Sequence, residues 1–115
     1  MSSPVRVNAA TFDELVLASE VPVLVDFWAS SCAPCKAVDP ILERVAETYA
    51  KRARVAKLQV DQNPGIRSRY EIQGVPTFVL FVGGEPVARE VGARSDGDLA
   101  AMLDAALGGR EAGRV

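Results

Sequence analysis

Between Val21 and Pro40 the chain changes character once, and that change limits what it can fold into. Val21-Pro22-Val23-Leu24-Val25-Asp26-Phe27-Trp28 is an apolar run rich in β-branched and aromatic residues, the pattern of a buried strand. It breaks at Ala29-Ser30-Ser31, and helical spacing of apolar residues then takes over. Val38, Ile41, Leu42, Val45 and Tyr49 predict a helix from Ala33 to about Lys51, with Pro34 tolerated in its first turn and Pro40 expected to kink it. The chain's two cysteines, Cys32 and Cys35, sit at the junction. Residues three apart on a helix place their Cβ atoms roughly 5–6 Å apart, close enough to bridge with small adjustments. A helix N-terminus leaves N–H groups unpaired and favours negative charge, so it stabilises a thiolate at Cys32. The junction reads as a dithiol/disulfide redox site.

Other uses of the pair fare worse. A zinc site needs about four ligands, and the chain has two cysteines and no histidine. A structural bridge closing a loop of about four residues stabilises by only roughly 2 kcal/mol, against about 4.7 kcal/mol for a 100-residue loop. A bridge that contributes so little to stability is better explained by its chemistry. The absence of histidine also removes His-based catalytic triads.

A chain of 115 residues is expected to form a single domain, with an ordered core over about 5–107 and a flexible Gly-rich tail over 108–115. Its net charge of −2 and lack of a basic run recommend neither nucleic acid nor an anionic membrane as partner. Met1 to Asn8 shows no charged segment leading into an apolar one, so no secretory signal is read. That points to the cytoplasm, where a catalytic dithiol is expected and a lasting structural disulfide is not.

Around the junction the elements fall in order. Val5–Val7 is a short edge strand, and Thr11 with Glu14 fits a capping box opening a helix that ends near Ser19. Arg54–Asp61 alternates as a strand with Ala56, Leu58 and Val60 on one face and Lys57 and Gln59 on the other. A short helix follows from Asn63 to about Tyr70, then a strand from Thr77 to Val82. Gly83-Gly84 is hairpin chemistry, and Pro86 marks the next strand, to Val91, as a sheet edge. Ser95 with Asp98 caps a last helix carrying Leu99, Met102, Leu103, Ala106 and Leu107. The class is α/β, with a mixed central sheet of about five strands and helices on both faces.

Asp26 lies in the apolar run, where a buried unpaired charge is costly; alternatively it sits near the strand end and reaches water. Read alone, Lys57 is a solvated strand lysine and Pro76 an ordinary turn proline.

Trp28-Ala29-x-x-Cys32-x-Pro34-Cys35-Lys36 with Pro40 resembles the active-site segment of thioredoxins. The likeness continues in Lys57-Leu58-Gln59-Val60-Asp61-Gln62-Asn63-Pro64-Gly65, in Gly74-Val75-Pro76-Thr77, in Phe81 with Gly83-Gly84, and in Val91-Gly92-Ala93. It implies the thioredoxin fold, its strands ordered first, third, second, fourth, fifth. It implies a protein-disulfide reductase in which Cys32 attacks, Cys35 resolves, and Asp26, with Lys57 turned towards it, takes the Cys35 proton, through water. It implies a cis Val75-Pro76 bond facing the cysteines, with the Val75 backbone pairing to an extended substrate strand. Trp28, Gly74, Val75, Val91, Gly92 and Ala93 then form an apolar docking groove, and Ala33 and Pro34 tune the redox pair. No bound cofactor is implied. Electrons come from NADPH through a flavin-dependent thioredoxin reductase, the partners are that reductase and disulfide-containing proteins, and the protein is a monomer.

Three positions depart from the pattern: Ser31 stands where tryptophan is usual, Ala33 where glycine is, and Asp39 where small neutral residues are common. Ser31 bears on partner recognition, Ala33 and Asp39 on reduction potential. Rival readings are an oxidase or isomerase of an exported compartment, against which Pro34 and the missing signal stand, and a non-catalytic binding module on the same fold.

Overall fold

The computed structural model describes residues 2–112, the side chains of 109–112 excepted. Five strands form one sheet: β1 (Val5–Val7), β2 (Val23–Trp28), β3 (Arg54–Gln59), β4 (Thr77–Val82) and β5 (Glu85–Val91). Their order across the sheet is β1-β3-β2-β4-β5, as the resemblance implies. β1 and β2 run parallel to β3, while β4 lies antiparallel to both β2 and β5. β2 is central and buried from Val23 to Phe27. This is why it reads as a near-continuous apolar run rather than an alternating one.

Alternation along the strands separates two cores. Val23, Val25, Phe27, Ala56, Leu58, Val79 and Phe81 face one layer, built from a helical turn at Asp13–Leu17 and from α2 (Pro64–Arg69). Leu24, Val55, Phe78 and Leu80 face the other, built from α1 (Ala33–Thr48) and α3 (Asp96–Ala112). α1 runs through Pro40 as one helix.

Two elements differ from expectation. The segment after Thr11 is a π-helical turn in which Ala18 N–H donates to the Asp13 carbonyl, and the Thr11–Glu14 capping box does not form. Asn8 takes over the capping: its Oδ1 accepts from Ala10 N–H (2.9 Å) and Thr11 N–H (3.1 Å), while Thr11 Oγ1 turns back to accept from Asn8 N–H. Asn competes well for such donors, and an Asx turn here uses the groups a capping box needs. At the other end, α3 passes Gly108 and continues to Ala112, where secondary structure was expected to stop. A glycine in a helix already formed costs only about 1 kcal/mol and need not end it. Residues 113–115 lie outside the described residues.

The remaining punctuation acts as read. Ser95 and Asp98 cap α3 reciprocally, Asp98 N–H to Ser95 Oγ at 3.1 Å and Ser95 N–H to Asp98 Oδ2 at 3.2 Å. Gly83 and Gly84 both hold positive φ (60° and 84°) in the hairpin, the two-residue geometry that matches strand twist. Gly84 also has no room for a side chain, because a Cβ there would meet the Leu17 carbonyl oxygen at 3.0 Å.

Candidate active site

The site assembles at the carboxyl end of β2, where the chain leaves the sheet and enters α1. Cys32 is the N-cap of α1, with extended backbone (φ −96°, ψ 106°). Ala33 and Pro34 fill the first helical positions, and Pro34 has no N–H to offer. The next donor, Cys35 N–H, points at Cys32 Sγ from 3.1 Å. A sulfur thus occupies the place a serine or aspartate oxygen takes in an ordinary cap. A thiolate there gains both a hydrogen bond and the positive end of the helix dipole.

Cys32 and Cys35 are joined as a disulfide. Cys32 is partly exposed, whereas Cys35 is 2% exposed, one turn inside the helix. The loop before them is held from β3's end: Asp61 accepts from Ser30 N–H (3.3 Å), Ser30 Oγ (3.1 Å) and Gln59 Nε2 (3.0 Å). Those hydrogen bonds keep the Asp61 carboxyl below its ordinary range despite the opposing effect of partial desolvation. Sequence reasoning missed this tether. Its signal was an acidic residue immediately beyond a strand whose neighbour carries the catalytic turn.

Across from the cysteines, Val75–Pro76 is cis, and the Val75 carbonyl oxygen lies 3.7 Å from Cys32 Sγ. Thr77 Oγ1 donates to the Gly74 carbonyl (2.5 Å), which pins the turn. Gly92 N–H donates to the Pro76 carbonyl (2.8 Å), drawing 91–93 alongside 74–76. A Cβ on Gly74 would touch Val91 Cγ1 at 3.4 Å, so these two segments are in contact. Val91 is 52% exposed and Val75 partly buried, leaving an apolar rim beside the disulfide. Trp28 is placed differently from the other expected groove residues. Its ring packs under Lys57 Nζ, 5.1 Å from the ring centre, and lines a shallow hollow with Arg6, Asn8, Gln59 and Asn63.

Asp26 is fully buried in β2, with Lys57 of β3 and Phe78 of β4 as its register partners. It does not reach water at a strand end. Neither carboxyl oxygen has a hydrogen-bond partner among the described residues. Desolvation pushes its pKa up to about 7, the Lys57 charge opposing and the Asp39 charge adding. The Lys57 ammonium makes an ion pair with Asp39 Oδ1 at 2.5 Å while its charge still acts on Asp26. A carboxylate that is half exposed, as Asp39 is, stays ionised at far lower cost than one fully buried, so it is the better partner.

A disulfide at the start of a helix, on the carboxyl edge of a mixed sheet and opposite a cis-proline, defines a thiol-disulfide oxidoreductase. A thioredoxin family model matches residues 3–105. The thioredoxin of Acidithiobacillus ferridurans is 50% identical over 101 residues, covering 88% of this chain and 94% of that protein. The thioredoxin of Pseudomonas aeruginosa is 45% identical over 101 residues (88% and 94%), and that of Synechocystis sp. 43% over 104 residues (90% and 97%). The chain belongs to the thioredoxin family. It is a protein-disulfide reductase working through the Cys32–Cys35 pair. Thioredoxins are themselves the standard example of a cysteine activated at a helix N-terminus.

Among the described residues no group of histidine, cysteine, aspartate and glutamate side chains could hold a metal ion, and no helix is long and apolar enough to cross a membrane.

Proposed function

We propose the following division of labour. Cys32 attacks one sulfur of the substrate disulfide as a thiolate: the mixed disulfide forms, the substrate S–S bond breaks, and its electron pair leaves on the other substrate sulfur as a thiolate. Cys35 then attacks Cys32 Sγ: the Cys32–Cys35 bond forms, the bond to the substrate sulfur breaks, and its electron pair leaves on the substrate thiolate. The Cys35 proton passes to ionised Asp26, through water. The dithiol gives up two electrons and the substrate disulfide gains them. Lys57 contributes its charge to this proton balance, and Ala33 and Pro34 tune the potential of the pair. NADPH restores the dithiol through a flavin-dependent thioredoxin reductase. The protein acts as a monomer in the cytoplasm on disulfide-containing proteins.

Substrate docks as an extended strand against the Val75 backbone, with Gly74, Pro76, Val91, Gly92 and Ala93 as its apolar bed and Trp28 at the far flank. Proximity of the Val75 carbonyl to Cys32 Sγ supports this placement.

The observation that carries the reading is the asymmetry of the two sulfurs. Cys32 is partly exposed and its Sγ accepts the Cys35 N–H, while Cys35 is buried one turn inside the helix. Brief iodoacetamide treatment of the reduced protein, followed by peptide mass mapping, should label Cys32 almost alone. A label found mainly on Cys35 would reverse the two roles. Cys35→Ser should accumulate mixed disulfides through Cys32, and a variant that traps none would leave Cys35 without its resolving role.

A further inference from the structure

We propose that Asp39 is a positioning residue of this site: by pairing with the Lys57 ammonium it weakens that cation's pull on Asp26, and so helps set the pH at which Cys35 can be resolved. The inference rests on Asp26 as the acceptor of the Cys35 proton.

Geometry carries it. Asp26 and Lys57 are neighbours in the parallel register of β2 and β3, on the same face of the sheet. Lysine has a flexible four-carbon stem and three donors, so a lysine so placed can turn its ammonium to the aspartate beside it. Here it is held by two other groups. Asp39, one helical turn beyond Cys35, takes its charge at 2.5 Å, and the Trp28 ring supports it at 5.1 Å. The lysine side chain is 15% exposed and that of Asp39 47%, so the pair is shielded from solvent on the lysine side. Asp26 is left with two buried oxygens and no hydrogen-bond partner among the described residues.

The charges facing Asp26 can be named by element. β3 presents Lys57, α1 presents Asp39, and β4 presents the apolar Phe78. α3 contributes Leu99 and Leu103 to this layer, both apolar. Asp39 therefore acts twice in one direction. Its own anion disfavours a second one at Asp26, and its ion pair partly offsets the cation whose charge favours it. Asp26 must be ionised to accept the proton released when Cys35 attacks the mixed disulfide. Burial raises the Asp26 carboxyl most and Asp39 adds to it, so that condition is met only as pH rises towards neutrality.

Two variants test this, Asp39→Ala and Asp39→Asn, the second keeping an acceptor for Lys57 while removing the charge. The Asp26 carboxyl carbon is followed by NMR in the oxidised protein across the pH range, a reading independent of turnover. Both variants should lower the Asp26 midpoint by about one pH unit. Adding Lys57→Met to Asp39→Ala should raise it again. Single turnovers at saturating peptide disulfide should show the acid limb of the resolution rate moving down by the same amount. In an Asp26→Asn background, Asp39→Ala should leave that rate profile unchanged.

Coincident Asp26 midpoints in wild type and both variants would overturn the proposal. So would a rate shift that persists without Asp26. A midpoint that moves while the rate profile stays put would also overturn it, and would remove Asp26 from the mechanism while leaving the roles of the two cysteines intact.

Discussion

The two faces of the sheet are built from the same strands but spend their buried positions differently. On the face under the π-helical turn and α2, an aromatic group closes the core: the Phe81 ring lies 5.7 Å from Phe12 and 5.2 Å from Tyr70, both edge-on, with Phe27 alongside Tyr70. Among the described residues no buried charge interrupts that face. On the face under α1 and α3, the inward residues of β2 run Leu24, Asp26, Trp28, so the core turns polar as it nears the disulfide. One face is packed almost wholly from apolar side chains. The other gives up stability at its carboxyl end by burying the Asp26 carboxyl, the group proposed to take the Cys35 proton.

The largest effect should come from the first face. Phe81→Ala is expected to cost about 3–5 kcal/mol in denaturant melts, equally at acid and alkaline pH. Activity per folded molecule should be unchanged. A pH-dependent loss would mean the two faces are coupled, and the contrast drawn above would fail.

Asp26→Asn should do the opposite, and only over part of the pH range. The unfolded chain releases this proton from about pH 4, whereas the folded protein holds it to about 7. Ionisation therefore favours the unfolded state, with a penalty that grows between those limits and levels off above the folded value. Removing the group should stabilise the oxidised protein by up to about 4 kcal/mol at alkaline pH and by almost nothing below about pH 4. Lys57 keeps Asp39 as its partner in this variant, so no cation is stranded. Melts that show Asp26→Asn destabilising equally at every pH would make Asp26 a structural residue.

The smallest effects concern how each face starts its helix. Ser95→Ala removes the reciprocal cap of α3 and should cost about 1 kcal/mol. Thr11→Ala should cost less, because Asn8 supplies the cap on that side. Thermal denaturation of the two variants side by side decides it, and equal losses would restore Thr11 as a cap.

These contrasts also show what could be read from residues alone. The strands and the catalytic turn were legible because periodicity, Gly83-Gly84 and Pro86 are local signals. The Thr11 capping box was not, because Asn8 and Thr11 compete for the same few donors and only the three-dimensional turn settles which wins. Burial of Asp26 was legible from its apolar neighbours. The Lys57–Asp39 pair was not: alternation puts Lys57 on the correct face, but its partner comes from a helix eighteen positions earlier. The Ser30–Asp61 tether was hidden for the same reason, since it joins two strand ends distant in sequence.

One last consequence follows from the edges of the sheet. β1 is three residues long, and β5 carries Pro86 opposite Phe81 at a register shift, with Val87 displaced from the regular ladder. Short strands, prolines and bulges all spoil an edge as a template for another chain. A protein proposed to greet its clients as added strands at Val75 has thus made its two open borders poor places to add one. Copies of it can crowd together at high concentration without zipping edge to edge, and the invitation to pair is confined to the spot beside the disulfide.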